Sequence, residues 1–197
     1  MLLRAALALL ALLGACTAQA AEERWAIVAK ESSATFRVRI LGIMPLAGAF
    51  AAPSGAIVID RDARTGSVDA VIRAASVTMS NPENAEWARS PEFFDAVQHP
   101  EIRFHSDRFP ITLLAEGGEL RGTLELRGRT EPVTFLVEPG QCDLDVAAAD
   151  ADAKTPRGGR CEVVARGAIQ RSLFGMISRR AVADRVSLRL RIVGRAT

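Results

Sequence analysis

The sequence is poor in the residues that most often carry catalysis. Among 197 residues it has no tyrosine, two histidines, two tryptophans and three cysteines. The G-x-S-x-G, H-E-x-x-H, P-loop and C-x-x-C motifs are absent, so the common hydrolase, metalloprotease, nucleotide-binding and redox patterns find no support. His99 and His105 would lie about 20 Å apart in an extended strand. We therefore predict no enzyme, no catalytic residue and no metal site.

Long apolar runs and clusters of basic residues are also missing. No apolar run reaches the roughly 20 residues that a transmembrane helix needs. The 25 Lys and Arg nearly balance the 23 Asp and Glu, and without a basic cluster there is little to neutralise several phosphates at once. We therefore expect no nucleic-acid partner.

The N-terminal segment is typical of an export signal. Arg4 precedes an apolar run at residues 7–13, a length that suits the core of a signal peptide. Ala18-Gln19-Ala20 predicts cleavage after residue 20. Leu13-Gly14-Ala15-Cys16 instead resembles a lipobox, which would end the signal at residue 15 and anchor the protein through a lipid on Cys16. Both alternatives export the protein, and either places one domain at 21–197 in the periplasm.

Cysteine usage fits export. Cys142 and Cys161 lie downstream of the signal and bracket an 18-residue segment rich in Asp, Ala and Gly. In an oxidising compartment two such thiols usually pair, so we predict a disulfide. Two separate buried thiols are the alternative, and metal binding is less favoured because no further ligand lies at suitable spacing. The bracketed segment, at about 140–162, looks like a loop insertion.

Apolar and polar residues alternate along most of the remaining chain. Phe36, Val38 and Ile40 would share one face of a strand, with Arg37 and Arg39 on the other. Comparable patterns predict strands near 25–28, 46–50, 54–60, 68–73, 101–105, 111–114, 120–126, 133–137, 161–169 and 186–193. Short turns join them. The fold predicted is all-β and antiparallel, either a closed barrel of about eight strands or a sandwich.

One or two short helices interrupt this pattern. Asn81-Pro82-Glu83 and Ser90-Pro91-Glu92 each combine a capping residue, a proline at the first helical position and an acid in the first turn. Phe93-Phe94 follows the second signal. We interpret this aromatic pair as a plug for one end of the closed sheet.

Four segments in chain order carry a family resemblance. They are Phe36-Arg37-Val38 through Gly48-Ala49-Phe50; Ser90 to Phe104, including Phe93-Phe94-Asp95 and His99-Pro100; Gly122 to Gly128 with Pro132-Val133; and Arg171 with Phe174-Gly175-Met176 and Asp184-Arg185-Val186. Together they are similar to the YceI family of exported, lipocalin-like proteins associated with polyisoprenoid binding. Ile40 and Trp87-Ala88 depart from the family pattern, which often has His there.

The resemblance implies a lipocalin-like barrel whose lumen holds a polyisoprenoid or isoprenoid-quinone-type lipid. No other cofactor is expected, and a homodimer is implied by the family alone. The lining residues expected are Phe36, Val38, Ile40, Phe50, Phe93, Phe94, Ile102, Phe104, Leu124, Phe174, Met176 and Leu190. Each of them could equally pack an ordinary core, in which case the protein would be a structural or stress-related barrel without ligand. Arg171 and Asp184 would form either an ion pair or a gate.

Overall fold

A computed structural model describes residues 22–143, 159–177 and 181–197. Within these ranges the chain forms one antiparallel sheet and two short helices, α1 (Pro82–Arg89) and α2 (Leu113–Glu116). The strands are β1 (Glu22–Ile27), β2 (Ser33–Ile40), β3 (Met44–Phe50), β4 (Ser54–Asp60), β5 (Thr65–Arg73), β6 (Val77–Met79), β7 (Glu101–Ser106), β8 (Phe109–Pro110), β9 (Gly118–Leu126), β10 (Arg129–Val137), β11 (Gln141–Cys142), β12 (Arg160–Gln170) and β13 (Arg185–Ala196).

The sheet closes into a barrel of eight strands. Its order is β12, β10, β9, β7, β5, β4, β1 and β13, and β13 pairs back onto β12. Closure is possible because β13 uses both edges: β12 lies along one, and β2 and then β1 lie along the other. The prediction of a closed antiparallel barrel of about eight strands is confirmed, and the sandwich alternative is wrong.

Three barrel strands continue past a break. The barrel strand β1 and its continuation β2 both pair with β13, and residues 28–32 separate them. In the same way, residues 51–53 separate the barrel strand β4 from β3. The short 3₁₀ segment Ala74–Ser76 separates the barrel strand β5 from β6. Beyond these breaks β3 pairs with β2 along one edge and with β6 along the other. The wall is therefore extended on this side.

The extended side leads to what we call the plug end of the barrel. It comprises the β2–β3 hairpin tip (41–44), the segment before β7 (90–100), the β9–β10 turn (127–128) and the corner before β13 (171–177 and 181–184). Contacts tie these segments together: the Leu41 N–H donates to the Ala181 carbonyl at 2.7 Å, and the Arg127 guanidinium donates to the Phe93 carbonyl at 2.6 Å. The opposite end carries α2 and the turn at 61–64.

Helix α1 begins and ends as its sequence signals indicate. The Asn81 side chain accepts a hydrogen bond from the Glu83 N–H at 2.8 Å, and Pro82 occupies the first turn. A second helix after Ser90 does not form; residues 91–94 are turns. The reason is that Asp95 adopts a left-handed φ of 50° and its N–H bonds back to the Ser90 carbonyl at 2.9 Å. The chain therefore reverses after one turn.

The strand predicted at 111–114 is wrong. This stretch leads into α2, where Leu113 and Leu114 are both buried. Successive strand residues face opposite sides of a sheet, so a strand would have left one leucine in water. A single helical turn buries both. Pro110, which has no N–H to donate to a ladder, limits β8 to two residues.

The predicted disulfide between Cys142 and Cys161 is present. The two residues lie directly opposite each other in the β11–β12 ladder, so neither the free-thiol nor the metal alternative applies. Most of the predicted insertion, residues 144–158, lies outside the described residues. So do the predicted signal at 1–20 and Cys16.

Candidate ligand-binding lumen

The inside of the barrel holds a cavity with an apolar wall. It encloses about 140 Å³. Thr35 is the one polar residue among the described residues that line it, and none of them is charged. Apolar cavities of this kind stay dry. The wall follows from the alternation in the strands: in β9, for example, Leu120, Gly122, Leu124 and Leu126 are buried, while Arg121, Thr123 and Glu125 between them are exposed.

Four phenylalanines form a cluster where the lumen reaches the plug end. The Phe50 and Phe94 ring centroids are 5.2 Å apart, as are those of Phe93 and Phe94, and Phe36 lies 5.6 Å from Phe50. Most of these contacts are edge-to-face, an arrangement that aromatic rings favour. All four side chains are largely buried and line the lumen. They close this end of the cavity.

Trp87 of α1 covers the cluster from outside. Its ring centroid is 4.8 Å from that of Phe93, and its indole N–H donates to the Glu92 carboxylate at 2.9 Å. The short helix thus holds the Phe93-Phe94 pair against the barrel, because β6, to which α1 packs, is itself paired with β3.

Ten of the twelve residues predicted to line a ligand site lie on the cavity wall. They are Phe36, Val38, Phe50, Phe93, Phe94, Ile102, Phe104, Leu124, Met176 and Leu190. Ile40 and Phe174 lie elsewhere: Ile40 borders an outer recess beside α1, and Phe174 borders another beside β12. Whether any of the twelve contacts a ligand stays a prediction.

Sequence reasoning passed over several lining residues. Ile57 and Phe135 lie on the wall, and Phe135 packs edge-to-face on Phe104 at 5.3 Å. The signal was available, because Phe135 alternates with Val133 and Val137 in β10, all three buried. Phe109 and Leu113 had no such signal, since they come from the irregular stretch between β7 and β9.

Arg171 is a buried cation at the plug end. Its guanidinium donates to the Val182 carbonyl at 2.9 Å and the Ala183 carbonyl at 3.2 Å, and also to the Met176 carbonyl. The Asp184 carboxylate accepts from the Ser172 N–H and hydroxyl, each at 2.9 Å. Arg171 therefore fastens the two parts of the corner through backbone carbonyls.

Titratable groups with shifted pKa values lie outside the lumen. Hydrogen bonds from Arg61 hold the pKa of the Glu23 carboxyl below its usual range. Hydrogen bonds from Arg160 likewise lower the pKa of the Glu31 and Glu162 carboxyls. His105 contacts Asp69 at 2.6 Å on the exposed outer face. Within the described residues no group of three or more His, Cys, Asp or Glu side chains is placed to bind a metal.

The lumen suits one flexible apolar group in its present shape. An apolar cavity of about 150 Å³ takes up a single benzene molecule, so about 140 Å³ accommodates a group near the size of one isoprene unit. A longer chain needs lining side chains to move apart.

No helix within the described residues has the length and apolar character to cross a bilayer.

Comparison with known proteins identifies this architecture. A family model described as the YceI-like domain matches residues 25–194. A UPF0312 protein of Yersinia enterocolitica is 33% identical over 51% of this chain and 52% of its own length, and one of Photorhabdus laumondii is 30% identical over 64% and 66%. The matches thus span about half to two thirds of these curated relatives.

Solved structures share the fold at low sequence identity. BcnA of Burkholderia cenocepacia has a TM-score of 0.64 at 22% identity, covering 85% of this chain and 98% of that one. A polyisoprenoid binding domain from Saccharophagus degradans has a TM-score of 0.63 at 14% identity, covering 88% and 98%. The YCEI protein of Campylobacter jejuni has a TM-score of 0.61 at 22% identity, covering 76% and 84%.

Proposed function

Because the chain belongs to the YceI-like domain family, we propose that it is an exported binding protein that holds a polyisoprenoid, or the isoprenoid tail of a quinone, in its lumen. The observation that carries the proposal is the wall of the cavity, which is apolar and uncharged among the described residues. Removing apolar surface from water contributes about 25 cal/mol for each Å². A saturated or polyprenyl chain gains binding free energy when it is buried against such a wall, and a polar substrate does not.

Two further observations support the proposal. One structural neighbour is described as a polyisoprenoid binding domain, and its fold is shared along nearly the whole of that chain. Among the described residues, the wall carries no side chain that could act as a nucleophile with an adjacent base, which favours burial over chemistry at this site. Export to the periplasm, by cleavage after residue 20 or by lipidation of Cys16, completes the proposal.

The proposal is tested by identifying what the protein carries. The protein is purified from its native host without detergent, extracted with organic solvent and examined by mass spectrometry. We expect a stoichiometric isoprenoid lipid, or uptake of an added polyprenol or quinone by the emptied protein. A barrel that yields no lipid and takes up none would be a structural barrel without ligand.

A paired substitution on β12 separates lumen binding from surface binding. Ala165 is buried on the cavity wall, whereas Ala168, three residues on, faces an outer recess. Ala165→Leu fills part of the lumen and should weaken polyprenol uptake at least tenfold, while Ala168→Leu should leave it unchanged. Equal uptake by both variants would place the ligand outside the lumen.

A further inference from the structure

Exposed large apolar side chains are concentrated at the plug end. Seven such side chains are exposed within the described residues. Only Leu136 lies on the barrel wall. The other six belong to the segments of the plug end: Leu41, Ile43, Met44, Val97, Leu173 and Ile177. Soluble proteins rarely group exposed apolar side chains without an interaction to serve.

The hairpin tip presents the most exposed of these groups in a fixed position. Leu41, Ile43 and Met44 are 66%, 79% and 52% exposed. The tip is nevertheless held to the corner, because β2 bridges to Val182 through Ile40 and the Leu41 N–H donates to the Ala181 carbonyl. The apolar side chains therefore project from an anchored turn.

Two exposed arginines stand directly behind the tip. Arg37 and Arg39 lie on the outward face of β2, and neither makes an ion pair with another described residue. Apolar side chains at a protruding turn with cations behind them match the layering of a bilayer surface, where anionic headgroups lie above the acyl chains.

The apolar surface continues from the tip towards the lumen. Between the hairpin, α1 and the corner lies a recess of about 330 Å³. Its apolar border is formed by Ile40, Leu46, Trp87, Ala181 and Val182, and its polar border by Glu83 and Asn84 of α1. Trp87 packs against Phe93 with the two rings tilted at 45°, and Phe93 lines the lumen. One aromatic pair thus separates the recess beside the tip from the cavity.

We propose that the plug end docks on the surface of an anionic phospholipid bilayer, with the β2–β3 hairpin tip inserted among the headgroups. The docking rests on the proposed function, since a lipid that is insoluble in water has to be taken from, or returned to, a membrane. A second copy of the chain fits the plug end less well. Its apolar groups stand on separate turns, and an isologous contact would bring Arg37 and Arg39 of both copies together.

Sedimentation with large unilamellar vesicles tests the docking. The full chain carries Cys16→Ala throughout, so that no lipid on Cys16 contributes, and the vesicles hold three parts phosphatidylcholine to one part phosphatidylglycerol. The double variant Ile43→Ser/Met44→Ser should lower the vesicle partition coefficient about tenfold or more, since two exposed apolar side chains no longer enter the interface. Leu136→Ser, the matched control on the barrel wall, should leave it unchanged.

The arginines are tested separately from the apolar tip. Arg37→Gln/Arg39→Gln should remove most of the preference for vesicles containing phosphatidylglycerol over phosphatidylcholine alone, and added salt should do the same to the parent protein. Equal binding of parent and Ile43→Ser/Met44→Ser would overturn the proposal. So would a parent dimer in light scattering that this variant dissociates, because the tip would then be an interface between copies.

Uptake of polyprenol delivered in ethanol, without vesicles, distinguishes the docking from the proposed function. If the protein takes up polyprenol from solution but does not bind vesicles, docking fails and the carrier function stands. If it binds vesicles through the tip and takes up no polyprenol, the carrier function fails and the docking stands.

Discussion

Single residues decide how the aromatic cluster fits inside the barrel. Gly48 lies opposite Phe36 in the β2–β3 ladder, and the Phe36 ring folds across the space where a side chain would be. A Cβ at Gly48 would come within 2.5 Å of the Phe36 Cε1 atom. Gly48 is therefore required by the packing of its cross-strand neighbour.

Gly48→Ala should destabilise the protein by about 1–2 kcal/mol. Overpacking a filled core costs about 1–3 kcal/mol, which exceeds the roughly 0.5–1 kcal/mol that Ala gains over Gly in a strand. The control is Gly194→Ala on β13, where the nearest atom, the end of the Ile57 side chain, lies 3.3 Å from the new Cβ. Urea unfolding should show a lower midpoint for Gly48→Ala and an unchanged one for Gly194→Ala. Equal midpoints for the two variants would contradict the packing role of Gly48.

Between elements, an ion network joins two strands, β12 and β13, to the turn between β1 and β2, at the end opposite the plug. Arg160 contacts Glu31 at 3.0 Å and Glu162 at 2.9 Å. Arg191 contacts Glu162 at 2.6 Å, and Arg195 contacts Glu31 at 2.9 Å. The network ties the break between β1 and β2 to β12 and β13, where the barrel closes.

This network predicts a loss of stability in acid. The Arg160 hydrogen bond, and then that of Arg191, hold the pKa of Glu162 below its ordinary value of 4.5. A carboxyl with a lowered folded-state pKa stabilises above the unfolded value and loses that contribution as pH falls through the folded one. The stability difference between the parent and Glu162→Gln should thus be constant above about pH 5.5 and shrink below about pH 4.5.

Urea unfolding at several pH values measures this difference. Glu119→Gln is the control, because Glu119 pairs with Arg121 on an exposed part of β9 and such pairs contribute little. A parent–variant difference for Glu162→Gln that does not change with pH would show that the network acts by packing and not by charge.

The disulfide fastens the short β11 to the barrel. Cys142 and Cys161 are 19 positions apart, and a cross-link closing a loop of this length stabilises by about 3 kcal/mol on the chain-entropy model. Reduction should lower the thermal midpoint by about 6–12 °C, at roughly 2–4 °C for each kcal/mol in a domain of this size. Cys142→Ser/Cys161→Ser should match the reduced parent and no longer respond to reductant.

At the scale of the whole molecule, closure of the sheet creates one internal space that a ligand either fills or leaves empty. If the proposed lipid binds only the folded barrel, free lipid at 100 times its dissociation constant should stabilise by about 2.7 kcal/mol. The thermal midpoint should then rise by about 5–10 °C. Ala165→Leu should abolish the shift and Ala168→Leu should keep it; a shift in both variants would indicate binding to the outer surface.

The alternation of apolar and polar residues was enough to predict the all-β, antiparallel class, but it left a barrel and a sandwich equally open. Sheet pairing follows from period-two patterns and short turns, because a one-residue slip of β2 would turn Phe36 and Val38 into water and bury Arg37 and Arg39. The capping signals placed α1 for the same local reason. Where local rules did not apply, as at Leu113 and Leu114, the prediction failed.

The amino-acid sequence by itself therefore determined the all-β class, most of the strands, helix α1 and the pairing of the two cysteines. Only the tertiary structure decided that ten of the twelve predicted lining residues share one cavity, that Ile40 and Phe174 border outer recesses, and that six exposed apolar side chains gather at one end. The physical reason is that inward and outward faces are set by the period of a single strand. The volume left inside and the neighbours at an end depend on all eight strands at once.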